Sequence, residues 1–457
     1  MTIALAPKHL GAIVEFVLSS APTEREDVHD AATTAEASPR SSWRSLDRLF
    51  QHPAVEVLRH RDFRLLWFGH VFASMGFWMD QVTRGWLIYE LTNSTVQLGM
   101  IRGVQAIPIL FLSPIAGSVA DRYSRKMQIV VTQIADGLMF GVLGLLIFTG
   151  AIQPWHVYAT AFGMAVAQTF HHPARAAIIA DVVPSTHLTN AIGLGSMVFN
   201  VARSLGPALA GILITVSGTG GAYAAQAFFF LLATYWTFRL SGVEQSATRA
   251  RDHGGHHATL RRSIVEGWRF SWQNETVRAA LLITMLAALF IVPFTTLLPV
   301  FARDILNVGA SGQGLLLTAM GVGALGSAVM IAGFGDRMAR GKIMLGGVAL
   351  YGVGSALFGA SPSFYFSMFL MIVIGFANVC SHALVQTVLQ TYSPREFRGR
   401  TIALFHMAQV VMTFGSMIIG ALAALSGAQW AVVLMGIAGA LAMLSIHLAL
   451  PRTWHIR

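Results

Sequence analysis

Of 457 residues, 54% are hydrophobic and only 11% are charged, against about a quarter charged in a water-soluble chain, so the composition excludes a soluble globular protein. The 31 Lys and Arg against 21 Asp and Glu leave +10, but the excess sits beside apolar runs, which marks membrane topology and anionic headgroups rather than a nucleic-acid surface. Cys380 stands alone in an apolar run, which excludes an intramolecular disulfide and gives no support to a thiolate metal cluster.

The first sixty residues differ from the rest. Thr2 to Leu18 is too short and too interrupted by Pro7, Lys8, His9 and Glu15 for a span. It also lacks the pattern of a signal peptide. Ser19 to Ser42 has the composition of a disordered segment. Trp43, Leu46, Leu49 and Phe50 then fall at helical spacing among charges, as in an amphipathic helix lying on a membrane face.

Apolar runs follow near 63–90, 98–119, 127–150, 154–175, 187–216, 221–239, 277–302, 312–334, 342–360, 363–390, 400–426 and 428–449. Each is long enough to cross a bilayer. The expected fold class is therefore an all-α membrane protein with about twelve transmembrane helices. Arg122, Arg125, Lys126, Arg175, Arg337, Arg340, Lys342, Arg395, Arg398, Arg400 and Arg452 all fall on one side of this map, while most opposite loops hold no base. Arg303 is the exception, and Asp304 follows it. The basic side is expected to be cytoplasmic, with both termini there.

The expected divisions are an N-terminal extension over 1–60, a six-helix bundle over 61–240, a cytoplasmic linker over 241–276, a second six-helix bundle over 277–450 and a tail over 451–457. The linker holds Arg-Asp-His-Gly-Gly-His-His at 251–257. A flexible polar tract explains it with less than a metal site does, so no metal is expected. Trp268, Phe270 and Trp272 have the look of an interfacial aromatic belt.

The two halves repeat. Asp121-Arg122-x-x-Arg125 returns as Asp336-Arg337-x-x-Arg340, Glu90 has a counterpart in Asp304, and Pro184 has one in Pro394. A nearly constant offset across three pairs is the mark of parallel structural repeats.

Gly117-Ser-Val-Ala-Asp121-Arg122-Tyr-Ser-Arg125-Lys126 resembles the loop motif between helices two and three of the major facilitator superfamily, with Tyr123-Ser124 in place of the commoner residue-plus-Gly. Asn200-x-x-Arg203-x-x-Gly206-Pro207-x-x-x-Gly211 resembles a shortened form of the Gly-Pro motif of its antiporters. Pro173 to Ile178 with Leu188 to Ala191, and Pro394 to Arg400, resemble the multidrug and enterobactin-exporter-like branch, the third drug:proton antiporter family. The resemblance covers roughly 60–450. It implies two bundles related by pseudo-two-fold symmetry, alternating access, a small amphipathic substrate such as a drug or siderophore, protons as coupling ion and a monomer in the cytoplasmic membrane. A symporter, a lipid-type translocator and a non-transporting sensor are the alternatives. No cofactor, nucleic acid or enzymatic activity is expected; the chain has no phosphate-binding Gly-Lys-Ser/Thr loop and no His-Glu-x-x-His helix.

An ionised group deep in the bilayer costs about 2.5–3.5 kcal/mol on insertion scales and is a functional candidate by default. Asp80, Arg84, Arg102 and Asp136 are the proton-coupling candidates. Asp80 and Arg84 have the i,i+4 spacing of a pair, and Asp80 is the first choice for the protonatable carboxylate. A permanently ionised structural pair is an equal reading. Asp136 falls on a helix that is usually peripheral in the fold this resembles, where satisfying a neighbouring helix is the simpler role. Arg203 and Asn200 either hold the interface between halves or face the cavity. His171-His172-Pro173 reads as a polar helix end broken by Pro, and His70, His382 and His406 as packing residues or ligands. By resemblance and helical position, Trp78, Gln81, Gln168, Phe294, Asn378, His382 and Gln386 are the cavity candidates. At the basic face, Arg125 or Arg122 is expected to bridge Asp181, Asp121 to meet the start of span eleven, and Asp336, Glu396 and Arg398 to form a weaker set. These contacts are expected to latch the outward-open state and to break as the halves rock inward.

Overall fold

The computed structural model describes residues 56–241, 260–334, 339–394 and 396–450. After a short 3-10 turn, Val57–Arg59, the chain runs through α1 (Arg61–Thr92), α2 (Thr95–Arg122), α3 (Arg125–Phe148), α4 (Pro154–Val182) and α5 (Leu188–Phe238). A linker helix, α6 (Leu260–Gln273), precedes α7 (Glu275–Leu286), which continues through irregular turns to Ile305. Then come α8 (Gly309–Phe334), α9 (Arg340–Ala360), α10 (Phe364–Tyr392), α11 (Arg398–His406), α12 (Ala408–Ser426) and α13 (Ala428–Ala449). Residues 1–55, the 251–257 tract, Asp336, Arg337 and Arg395 lie outside the described residues, and so does the side chain of Asp121.

Among the described residues nine segments are apolar and long enough to cross a membrane. One of them, Ser185–Phe238, has 54 residues, about 80 Å of helix at 1.5 Å per residue, against a hydrocarbon core of about 30 Å. It crosses twice. Gly218 divides α5 into two limbs with φ 70° and ψ 177°, a conformation that only glycine enters without strain. Adding α1 and α4, whose 32 and 29 residues carry more polar groups, completes twelve crossings. The polar residues of α1 and α4 are packed inward, which is why length rather than hydropathy identifies these two. The outer faces carry exposed Leu138, Leu145, Leu231, Leu425 and Leu448, a continuous apolar surface that suits lipid and not water.

The packing has the symmetry expected of a repeat. α3 packs on the second limb of α5, and its counterpart α9 packs on α13; α2 packs on α4, and α8 on α10. The two bundles meet through α2 against α12 and through the first limb of α5 against α8. Glycine makes these seams close, as in other membrane helix pairs. A Cβ added at Gly211 would lie 2.6 Å from the Ala310 carbonyl oxygen, one at Gly314 2.5 Å from that of Pro207, and one at Gly420 2.6 Å from that of Thr95.

The hydrogen bonds joining the bundles lie in the half remote from the basic loops. Thr95 Oγ1 donates to the Gly420 carbonyl at 2.9 Å and Thr318 Oγ1 to that of Ser204 at 2.8 Å. Tyr89 donates to Asp304 and Arg303 to Asn93. Arg303 also donates to Asp304 at 2.8 Å, so the one base on this side is neutralised in place. At the basic end, Gly117 has no atom within 4 Å of where a Cβ would stand, and Arg122 and Tyr123 are exposed. The halves are thus closed at one end and parted at the other.

Two differences from the expected spans have physical causes. α4 runs through Pro173 to Val182 without breaking there; tertiary packing of the buried His171, Ala174 and Ile178 holds the last turns in place. The end of the linker is not simply an aromatic belt but a helix, α6. It is fastened by Arg400 donating to Glu266 at 2.9 Å and by Phe270 stacked on Phe397 at 4.7 Å.

Candidate functional site: a buried polar core beside a cavity between broken helices

The N-terminal bundle encloses a charged cluster. Asp80 and Arg84, one turn apart on α1, are 4% and 3% exposed. Arg84 donates from Nε to Asp80 Oδ2 at 2.9 Å, and from Nη1 to the Val157 carbonyl at 3.2 Å and to Thr160 Oγ1 at 3.1 Å. Its Nη2 reaches Met164 Sδ at 2.7 Å. α4 therefore supplies the guanidinium with neutral acceptors, and one carboxylate supplies the charge. Each buried ion costs several kcal/mol to desolvate, a cost that the ion pair and these hydrogen bonds offset although Asp80 Oδ1 itself has no partner.

Asp136, on α3, is wholly buried and differs in kind. Gln168 Nε2 donates to its Oδ2 at 2.7 Å, while Oδ1, like Asp80 Oδ1, has no hydrogen-bond partner. No cation lies within ion-pair distance of Asp136 among the described residues. Gln168 is thus committed to the seam between α3 and α4. Arg102 donates to Gln81 Oε1 at 2.9 Å and is held by an amide rather than an acid. The imidazoles of this bundle are mostly engaged: His70 joins Ser74 at 2.9 Å and the Gly195 carbonyl at 3.2 Å, and His171 joins Thr132 at 3.1 Å.

A cavity of about 210 Å³ lies in the C-terminal bundle at mid-depth, toward the basic end, where two crossings lose regular geometry. Crossing seven becomes π-helical over Ala287–Ile291 and 3-10 over Val292–Leu297. Pro293 and Pro299 cause this, since each lacks an amide proton and crowds the carbonyl four residues back. Crossing eleven passes through one irregular turn at Met407, between α11 and α12, where the Met407 amide bonds both the Ala403 and Leu404 carbonyls. The wall includes Thr284, Tyr351, Asn378, His382, His406 and Gln409. Irregular helical turns beside a mid-membrane space suit a transport site.

Of the cavity candidates, Asn378 and His382 line this wall. Phe294 does not; it is 1% exposed and packs edge-on against Phe358 at 5.5 Å and Tyr351 at 6.2 Å. Gln386 stands one turn beyond His382 on α10 and is half-buried. Trp78 is half-buried between Phe77 and Phe199, with its indole N–H unpartnered. Tyr351 and Gln409 were legible only as lone polar residues in apolar runs, and helical position alone did not single them out.

The span-five motif is a packing device with one polar exception. A Cβ at Gly206 would stand 2.7 Å from Trp78 Cβ, and Pro207 and Gly211 form the close seam with α8. Asn200 is exposed and bonds its own helix at Ser196. Arg203 lies over the Trp78 ring at 5.8 Å.

At the basic end Arg125 meets Asp181 at 2.6 Å, and Lys126 donates to the Leu240 carbonyl at 2.7 Å. Both contacts stay inside the N-terminal bundle, linking α3 to α4 and to the end of α5. The expected Arg125–Asp181 bridge is thus present, within one bundle and at the end where the halves are parted. Arg398 donates to the Ser393 carbonyl at 3.1 Å, Asp336 of the expected set lies outside the described residues, and Arg340 begins α9.

Twelve crossings in two repeats, with a polar mid-depth cavity closed at one end, define a polytopic membrane transporter. Residues 53–455 match the model of the transmembrane secretion effector family of major facilitator proteins, and the chain belongs to that family. It is 23% identical to the staphyloferrin A transporter of Staphylococcus aureus over 79% of this chain and 90% of that one. It is 24% identical to the multidrug efflux pump Tap of Mycolicibacterium fortuitum over 79% and 89%. A bacterial homologue of the human lysosomal transporter Spinster, solved inward-facing and unoccupied, shares the fold with a TM-score of 0.66 at 15% identity, covering 86% of this chain and 96% of that one.

Proposed function

We propose that the chain is a proton-coupled exporter of small amphipathic molecules in the cytoplasmic membrane. The observation that carries this reading is a cavity parted toward the basic end while glycine seams seal the other. The excess of Lys and Arg supports a cytoplasmic basic end, and on that reading the site is loaded from inside. Rocking about the seams would then expose it outward. Relatives named for siderophore transport and multidrug efflux support an exporter's role.

For coupling, the geometry favours Asp136 over Asp80. Asp80 has Arg84 as a permanent counter-charge. Both carboxylates keep one unpartnered oxygen, but Asp136 has only the neutral Gln168 amide, and a buried carboxyl without a cation is the one for which proton gain removes an uncompensated charge. Asp80–Arg84 is then the fixed scaffold on α1 and α4, and Asp136 the proton carrier.

The test is accumulation of a cationic dye, a macrolide or a catecholate siderophore in proteoliposomes under an imposed pH gradient. Uptake that a protonophore abolishes supports antiport. Uptake that follows a sodium gradient, or occurs equally without any gradient, overturns it.

A further inference from the structure

The linker helix α6 leaves two tryptophans outside the packing that fastens it. Gly267 approaches α11 so closely that a Cβ there would stand 2.8 Å from Arg400 Cβ, and Glu266 and Phe270 hold the same side of the helix. Trp268 and Trp272, one turn apart on the adjoining face, stack on each other at 5.6 Å with an interplanar angle of 11°. They remain 54% and 50% exposed. Indole rings in this position mark the boundary between membrane and water.

A pocket of about 50 Å³ lies between this pair and the start of crossing seven. Leu281, Leu282 and Met285 of α7 and Leu404 of α11 give it an apolar wall, and Arg278 is part of the lining. Arg278, Leu282 and Met285 recur at i, i+4 and i+7, one face of the helix, and about 10 Å of helix separates the first from the last. Crossing seven runs over Glu275–Ile305, so Arg278 stands at its entrance, at headgroup depth, and Met285 two turns further in. Arg278 donates from Nη1 to the Trp272 carbonyl at 3.1 Å. No acid lies within ion-pair distance of it among the described residues. A guanidinium has five N–H donors, so most of this fork is open to a ligand.

We propose that the groove between α6 and α7 binds an anionic phospholipid. Its phosphate rests on Arg278, and the upper part of one acyl chain runs along Leu282 and Met285 against the Trp268–Trp272 pair. A cation above an apolar slot complements the charge and the order of such a lipid, head outward and hydrocarbon inward. Basic pockets between membrane helices hold anionic headgroups in this way, and arginine matches phosphate with paired hydrogen bonds.

The experiment reconstitutes the full chain in phosphatidylcholine nanodiscs carrying a minor share of dibrominated phosphatidylglycerol or dibrominated phosphatidylcholine, since bromine on an acyl chain quenches an indole it touches. The signal of the pair is the fluorescence lost between the wild type and Trp268→Phe/Trp272→Phe. Half-quenching of the pair is expected at a share of the anionic lipid at least about fivefold lower than that of the zwitterionic one, as one base at a membrane surface implies. Arg278→Gln brings the two shares together, and Arg278→Lys keeps part of the difference. Arg269→Gln, exposed on α6 and outside the pocket lining, leaves the difference intact, which separates a site from a diffuse basic surface. In the wild type, exchanging part of the bulk phosphatidylcholine for unbrominated phosphatidylglycerol must restore the fluorescence that the anionic lipid quenched, a measurement that depends on no variant. Equal quenching by the two lipids, quenching of the pair by neither, no restoration, or a preference that Arg269→Gln lowers as much as Arg278→Gln overturns the inference.

Discussion

Replacing Gly211 by alanine should shift the protein away from the conformation described. The new Cβ would stand 2.6 Å from the Ala310 carbonyl oxygen and 3.0 Å from Ser311 Cα, where ordinary contact begins at 3.4 Å. Both obstacles are backbone, so α5 and α8 must part by most of an ångström rather than turn a side chain aside. Overpacking of this kind costs about 1–3 kcal/mol, which corresponds to a population change of roughly 5–150-fold. Only the state closed at this seam bears the cost; a state parted there does not. Spin labels on cysteines at Ser217 and Ser426, in a Cys380→Ser background, report the separation of the bundles at this end, since both positions are exposed. The ratio of long to short distances should rise by that factor in Gly211→Ala. An unchanged ratio in a variant that elutes as a folded monodisperse protein would refute the seam's role.

Removing either partner of the buried Asp80–Arg84 pair should destabilise by about 3–5 kcal/mol, and Asp80→Asn/Arg84→Gln together by less than the two single changes combined; thermal unfolding in detergent checks this. Asp181→Asn should lower stability by no more than about 1 kcal/mol for a partly exposed pair and leave the spin-label distances unaltered, whereas a latch between halves would move them. Glu266→Ala should free α6 from α11, seen as faster amide exchange over 260–273 with little change across α7.

Much of this fold was readable because hydropathy and length locate crossings and lysine and arginine orient them. The break at Gly218, the neutralised Arg303 and the α5 glycines are signals that local sequence carries directly. What escaped reading depends on azimuth and on distant partners. Phe294 and Asn378 both look like mid-span candidates, yet Pro293 and the π-helical turns before it swing Phe294 into the core while Asn378 faces the cavity. Gln168 could have faced the cavity or a neighbour, and only the position of Asp136 across the seam decides it. The Arg125–Asp181 bridge, by contrast, was readable from the position of its partners at neighbouring ends of one bundle, and the structure forms it at 2.6 Å.

The coupling assignment is tested most directly by uptake into proteoliposomes under a pH gradient, comparing Asp136→Asn with Asp80→Asn and measuring counterflow beside it. With Asp136 as the proton carrier, Asp136→Asn loses gradient-driven accumulation and keeps counterflow exchange, while Asp80→Asn depresses both through loss of the folded bundle. Gradient-driven accumulation that survives in Asp136→Asn and vanishes alone in Asp80→Asn would contradict the assignment and return the proton to the α1 carboxylate.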